Sequence, residues 1–302
     1  MKSARLIRYG NLLFLAFAFC AFRYGFLEQQ QGLTLALNQL QFLMLVFSCV
    51  CIAAGGFLIN NIIDGDSEIN FGISEAKGYN LYAALNIVGV GIGFYLSNLI
   101  GEPGFALLFI LIAATMYFYA TNLKYTIVVN NLIIALLVAV SILIVGIYDL
   151  YPMITPENQT YLATLFGIFI DFAFFTFVIS LIREIVKNIR DVNKDYNAGI
   201  NTLPIAVGKE RMAKITFVLS LIPVGLLLFY ANTYLINEKS ALLYALIYLL
   251  LFVLGPLIYF MIGLWTAKTE KDFDRLSLVL KIVLAFAALS IVVITFNIQN
   301  NA

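Results

Sequence analysis

Histidine is absent from all 302 residues. That removes the commonest general base and the commonest metal ligand, and with them Ser-His triads and His-ligated haem or zinc. Cysteine is nearly absent: Cys20, Cys49 and Cys51 each lie inside an apolar run, as small core residues do, which excludes a disulfide framework and a zinc site. Charge is also scarce. Asp, Glu, Lys and Arg make up 12% of the chain, against roughly 25% in soluble domains. The formal net charge is +1 and no basic block occurs, so nucleic acid is not an expected partner. Hydrophobic residues fill 62% of the sequence, in long uncharged runs. The bilayer is therefore the expected solvent.

A hydrocarbon core about 30 Å thick needs about 20 mostly apolar residues to be crossed as a helix. Runs near that length fall at 10–27, 40–62, 79–100, 104–122, 126–148, 161–182, 211–231, 240–266 and 276–297. Gly101, Glu102 and Pro103 mark a tight turn between the third and fourth. No period-2 alternation is sustained, so barrel strands are not expected. The predicted fold is all-α: a polytopic membrane protein of nine transmembrane helices in one domain, 1–302. Lys2, Arg5 and Arg8 ahead of Leu12–Leu27 look like a signal peptide at first. No clear small-residue cleavage site follows, and the run is read as a retained first span.

Lys and Arg favour the cytoplasmic side. With the N-terminus inside, all 18 Lys and Arg except Arg23 and Lys239 fall inside. A wrong span count would scramble this split. The outer loop around Pro152–Gln159, with Asp149 and Glu157, carries no Lys or Arg.

Polar chemistry gathers in two segments at the inner ends of spans. One closes the second span, from Asn60 and Asn61 through Asp64, Asp66 and Glu68 to Asn70. The other follows the sixth: Arg183, Glu184, Lys187, Asn188, Arg190, Asp191, Lys194 and Asp195, then Gly199, Thr202, Leu203 and Pro204. Residues four apart share a helix face, so Asn60 stacks on Asp64, Glu184 on Asn188 and Asp191 on Asp195. Asp66, two residues from Asp64, points about 200° away on a continuing helix. Charged inner loops are ordinary, but helical spacing at membrane depth, in two places, is not. Carboxylates at that spacing repel unless a cation lies between them. Hard oxygen donors without His or loop Cys suggest Mg²⁺, which takes one or two carboxylates and completes its shell with substrate phosphates and water.

With these residues the chain resembles the UbiA superfamily of intramembrane prenyltransferases. The family's first signature reads Asn-Asp-x-x-Asp-x-x-x-Asp, and Asn60, Asp64 and Glu68 fill its Asn, second acid and third acid. Its second reads roughly Lys-Asp-x-x-Asp-x-x-x-Asp, with Arg-Glu upstream and Gly-x-x-Thr-Leu-Pro downstream. Arg183, Glu184, Lys187, Asp191, Asp195, Gly199, Thr202, Leu203 and Pro204 match it. Tyr119 with Lys124, and Arg8 with Asn11, are also similar to family positions. Asn61 and Asn188 stand where the family has Asp, Glu68 replaces Asp, and Phe71-Gly72 occupies the place of a common basic-Pro pair. By its Leu-Ile-Arg-Tyr-Gly-Asn-Leu-Leu start the chain is most similar to bacterial homologues of the geranylgeranylglycerol-phosphate branch.

The resemblance implies a UbiA-like bundle in the cytoplasmic (inner) membrane, its active site facing the cytoplasm. It implies Mg²⁺-dependent transfer of a polyprenyl group from a prenyl diphosphate to a lipophilic or amphiphilic acceptor, through an allylic cation shielded by the membrane. A glycerol-phosphate ether is favoured as acceptor, with an aromatic quinone precursor as the alternative. By the same resemblance Asp64, Asp191, Asp195 and Lys124 are catalytic, and Asp64, Glu68, Asp191 and Asp195 hold metal. Asn60, Arg8, Asn11, Tyr119, Lys187, Glu184 and Asn188 bind substrate. Two non-enzyme readings remain: a secondary transporter and a catalytically silent scaffold. A transporter predicts carboxylates deep in several spans, but only Asp171, mid-way through the sixth, qualifies. An ionisable residue at that depth is by default functional; the structural alternative is a hydrogen-bonded Asp.

The charge split predicts that a topology reporter fused after Ala302 reads as external and one at Asn197 reads as cytoplasmic. The reverse result at either site would overturn the span count.

Overall fold

The computed structural model describes residues 7–65, 74–236 and 242–301. Asp66, Glu68, Asn70, Phe71, Gly72, Lys239, Lys2 and Arg5 lie outside the described residues. Among the described residues nine helices are long and apolar enough to cross a membrane: Tyr9–Gln29, Gln39–Ile63, Glu75–Leu99, Pro103–Thr121, Val129–Met153, Gln159–Arg190, Lys209–Ile236, Leu243–Thr266 and Glu270–Asn300. No strand occurs among them. The chain is an all-α, multi-pass membrane protein.

The apolar runs understate several helices. The sixth reaches Arg190 rather than residue 182, and the ninth starts at Glu270 rather than 276. Hydropathy marks only the part in hydrocarbon. A helix goes on satisfying its own backbone groups after it enters water, so charged turns extend beyond the apolar run. This extension makes the second polar segment helical.

Two spans are irregular, each next to a proline. The ring of a helical proline clashes with the carbonyl four residues back. In the seventh span Pro223 sits just after a break at Ser220, between helices Lys209–Leu219 and Leu221–Tyr230. The Ser220 hydroxyl bonds back to the Thr216 carbonyl at 2.7 Å, sharing that oxygen with the Ser220 N–H at 3.0 Å, a back-bond of the kind that bends helices. In the eighth, Pro256 follows a wide π turn over Leu249–Leu254. A second π turn, Ala231–Ile236, ends the seventh span's described part.

The chain forms two compact units. The first takes its described residues from Met1–Cys20, Gly32–Lys124 and Leu143–Gly167. The second takes Ala21–Gln31, Tyr125–Ile142 and Ile168–Ala302.

In the first unit small residues let helices approach closely, as lipid-embedded helices require. Ser48 Oγ on the second span donates to the Gly89 carbonyl on the third at 2.6 Å. A Cβ at Gly89 would sit 2.9 Å from the Ser48 carbonyl oxygen. One turn on, a Cβ at Gly93 would overlap the fully buried ring of Phe109 on the fourth span. Phe109 packs edge-on against Tyr148 at 5.6 Å, and the buried Tyr148 hydroxyl shares a 2.6 Å hydrogen bond with Ser97. Asp149, expected on the outer loop, instead ends helix Val129–Asp149 fully buried. Its carboxylate accepts from the Leu37 N–H at 3.3 Å and its carbonyl from the Ala36 N–H at 3.2 Å. A chain returning across the helix end thus gains partners for backbone groups that would otherwise be buried unpaired.

In the second unit Phe22 packs on Phe169 and Phe172, with centroids 5.0 and 5.2 Å away. Arg23, one of the two cations assigned to the outer side, is buried and paired with Glu28 at 3.0 Å. Cys20, Cys49 and Cys51 are free thiols, as their apolar settings implied.

Substituting Gly93→Val should destabilise the protein by about 1–3 kcal/mol through overpacking. Adding Phe109→Leu should recover part of the loss. Thermal melts of the parent and the two variants in one detergent test this; an unchanged melt for Gly93→Val would refute the close packing.

Candidate active site

In the first unit the site is built at the C-terminal end of helix Gln39–Ile63. Asp64 caps that helix, its N–H donating to the Asn60 carbonyl. Asn60 Nδ2 also donates to Asp64 Oδ2 at 2.9 Å, so the expected Asn60–Asp64 stack is present. A carboxylate at a helix C-terminus meets the negative end of the macrodipole and needs a cation. Lys124 supplies it, with Nζ 2.5 Å from Asp64 Oδ1. Lys124 lies in the short turn Leu123–Tyr125 after the fourth span and is buried. About a third of the Asp64 side chain remains accessible. The structure therefore joins three predicted residues, Asn60, Asp64 and Lys124, that lie up to 64 positions apart.

Other predicted residues are placed less directly. Arg8 is exposed, with its guanidinium 5.4 Å from the Phe57 ring centroid. Phe57 stands on the same span as Asp64, two turns earlier. Asn11 is half-buried, its N–H donating to the Arg8 carbonyl at 2.7 Å. Tyr119 is half-buried in the last turn of the fourth span. Glu68 lies outside the described residues.

In the second unit the sixth span carries the other segment. The buried Glu184 accepts from Lys187 Nζ through both oxygens, at 2.9 and 2.7 Å, and from Arg183 at 3.5 Å. Asn188 shares the face of Glu184 but turns to the fifth span, donating to Asn131 Oδ1 at 2.8 Å. The helix breaks at Asp191, which caps the short helix Val192–Asn197. The four-residue spacing survives the break, because the Asp195 N–H donates to the Asp191 carbonyl at 2.9 Å. Downstream, Thr202 is buried and caps the short helix Leu203–Val207, with Pro204 in its first turn.

Sequence reasoning missed two partners here. Arg190 grips Asp191 with two parallel bonds at 2.8 and 2.7 Å, a planar fork on a carboxylate. It also reaches Asp274 on the ninth span at 2.6 Å. In the sequence Arg190 is one cation of the second polar segment, with nothing to name its partners. Asn131 is buried, and its Nδ2 has no partner among the described residues. The signal for Asn131 was in the sequence: Asn130-Asn131 at the start of an apolar span mirrors Asn60-Asn61 at the end of another.

Among the described residues no three His, Cys, Asp or Glu side chains cluster tightly enough to cage a metal. A cation needing an all-protein shell does not fit. Mg²⁺ does, since it takes one or two carboxylates and draws the rest of its octahedron from phosphate and water. Asp64 and Asp191 are partly accessible hard-oxygen donors of that kind, with side chains 32% and 36% exposed.

A UbiA prenyltransferase family model matches residues 14–285. The chain is 32% identical over 185 residues to digeranylgeranylglyceryl phosphate synthase of Sulfolobus acidocaldarius, covering 59% of this chain and 60% of that one. It is 27% identical over 257 residues to the synthase of the same name from Methanosphaera stadtmanae, covering 80% and 84%. The chain thus spans about three fifths of the Sulfolobus relative it matches. A UbiA homologue of Archaeoglobus fulgidus, solved with DMAPP and Mg²⁺, superposes with a TM-score of 0.60 at 18% identity, over 96% of this chain and 99% of that one. The carboxylate segments at the ends of the second and sixth spans thus fall within one continuous family match. On that match, the chain belongs to the UbiA prenyltransferase family.

Proposed function

We propose that the protein transfers a polyprenyl group from a prenyl diphosphate to a lipophilic or amphiphilic acceptor of the glycerol-phosphate ether type, with Mg²⁺ as cofactor. The single observation that carries this reading is the Asn60–Asp64–Lys124 constellation. It places an accessible carboxylate and a buried ammonium together at the end of a membrane helix, where a diphosphate can be held beside an apolar interior. The named relatives are digeranylgeranylglyceryl phosphate synthases, which favours a glycerol-phosphate ether over an aromatic acceptor.

In this reading Asp64, Glu68, Asp191 and Asp195 would hold magnesium, which when bound supplies positive charge against the departing diphosphate. The remaining work belongs to the side chains. The bond between the prenyl C1 and the diphosphate oxygen breaks, a bond from C1 to the acceptor oxygen forms, and the acceptor hydroxyl proton leaves to solvent. Lys124 donates to the leaving oxygens while Asp64 keeps its ammonium aimed. Lys187 does the same from its seat on Glu184, and Arg8 adds a third cation. Asn60, Asn188, Asn11 and Tyr119 orient substrate through neutral hydrogen bonds. Cations already held by carboxylates need little reorganisation when charge develops, which is where electrostatic catalysis gains most. The apolar spans exclude water from the allylic cation.

The family match extends across residues assigned to both compact units, which supports a single functional domain over 1–302. The distribution of Lys and Arg supports a cytoplasmic membrane location with this chemistry on the cytoplasmic face.

The direct test is purified protein in nanodiscs, given radiolabelled prenyl diphosphates of several lengths and a panel of glycerol-phosphate and aromatic acceptors, with Mg²⁺ or with chelator. Turnover of a glycerol-phosphate ether only with Mg²⁺ is expected. Full turnover in chelator would sink the metal role, and exclusive turnover of aromatics would replace the acceptor. Asp191→Asn and Asp195→Asn should each lower turnover by roughly 10²-fold or more, the loss expected when a group stabilising the transition state is removed. Their thermal melts should stay close to the parent. Undiminished turnover in both variants would place the diphosphate elsewhere.

A further inference from the structure

Away from the signature residues, the second unit holds a cavity with a polar wall at mid-membrane. Between Tyr161 and Ile182 the sixth span has one charged residue, Asp171. At about 1.5 Å per residue it lies some 15 Å from either end, at the middle of the hydrocarbon. It is exposed, and among the described residues no cation or hydrogen-bond donor is paired with it. Asp171 stands thirteen residues before Glu184, about 140° round the helix. It therefore lies on a different face from the second signature.

A half-open cavity of about 190 Å³ borders Asp171. Phe172 and Phe175 line it from the sixth span, Tyr230 and Tyr234 from the seventh, Val253 from the eighth and Ser290 from the ninth. The two tyrosine rings lie 4.8 Å apart. Ser290 spends its proton on the Ala287 carbonyl at 2.7 Å, leaving its oxygen as an acceptor. Both described π turns, Ala231–Ile236 and Leu249–Leu254, contribute to the wall. Such turns recur at functional sites because they re-aim side chains out of helical register.

We propose that this cavity binds a membrane-dissolved molecule with an apolar body and a single hydroxyl head, the hydroxyl donating to Asp171. The depth rules out a phospholipid headgroup, which stays at the interface. A hydroxyl can donate to Asp171 and accept from a tyrosine lining the same cavity, whereas an ammonium offers donors only. The volume exceeds the roughly 150 Å³ that accepts a benzene ring, and a half-open cavity leaves a longer chain room to extend beyond it. An isoprenoid alcohol and an alkylphenol share this chemistry.

The test is photolabelling of the full chain in nanodiscs with a diazirine analogue of geranylgeraniol, mapped by peptide mass spectrometry. Saturable labelling at Phe172–Phe175 or Tyr230–Tyr234 is expected. Geranylgeraniol and an alkylphenol serve as competitors, and the stronger of the two identifies the source. Geranylgeranyl methyl ether, which cannot donate, should compete at least 10-fold more weakly. Asp171→Leu should lose labelling at least 10-fold with an unchanged melt, while Asp171→Asn, which keeps an acceptor, should retain most of it. Equal competition by the methyl ether, or undiminished labelling of Asp171→Leu, would overturn the proposal. If Asp171→Leu fails to fold, the methyl ether and Asp171→Asn decide it.

Discussion

Hydrocarbon cannot hydrogen-bond, so each backbone N–H and C=O inside the bilayer must find its partner within the protein. Helices solve this segment by segment, and the few exceptions carry their own remedies. At the start of the eighth span, the Ala245 N–H is met by Asn297 Oδ1 at 3.0 Å. With the backbone self-satisfied and no hydrophobic drive between helices in lipid, association falls to close packing and a few side-chain bonds. Ser48 on the Gly89 carbonyl and Ser97 with Tyr148 are bonds of this kind. Each is set where small residues bring helices into contact.

The same demand for partners governs charge at the inner face. Asp64, Glu184 and Asp191 each face a protein cation: Lys124, Lys187 and Arg190. Each pair offsets the charge of its own acid at a helix end or in a buried setting. The pairs also hold each cation in a fixed position at its own acid. Asn188 fits this picture. An amide at 188 donates to Asn131, which a carboxylate could not do, and the substitution removes one negative charge that would have needed another cation.

The spans were legible because hydrophobicity over 20 residues is a strong, local signal, and nine apolar runs correspond to the nine long apolar helices among the described residues. The Asn60–Asp64 contact was legible from four-residue spacing alone. The link from Asp64 to Lys124 was not, since nothing local relates two spans 60 residues apart; only the family resemblance put both in one site. Arg190 with Asp274 and Asn188 with Asn131 escaped for the same reason. They are pairs between helices, and a helix periodicity reports which face a residue occupies without naming what that face meets. The burial of Asp149 was hidden too, because an acid beside a proline-containing loop reads as solvated until the returning chain at Ala36–Leu37 is seen to cover it.

Asp149 and Asp171 together decide what an acid within these apolar spans means. Asp149 is fully buried and receives a backbone N–H. Its role is to satisfy the chain that crosses it, and replacing it would strand a donor. Asp171 has no such duty among the described residues. It is exposed at the depth where an ionisable group is most costly, beside a cavity walled by aromatic rings, two tyrosines and two π turns. A structural carboxyl would be covered and bonded, as Asp149 is. A carboxyl that is neither, at the one depth where water cannot compensate it, is explained by a partner that arrives from the membrane and brings the missing donor.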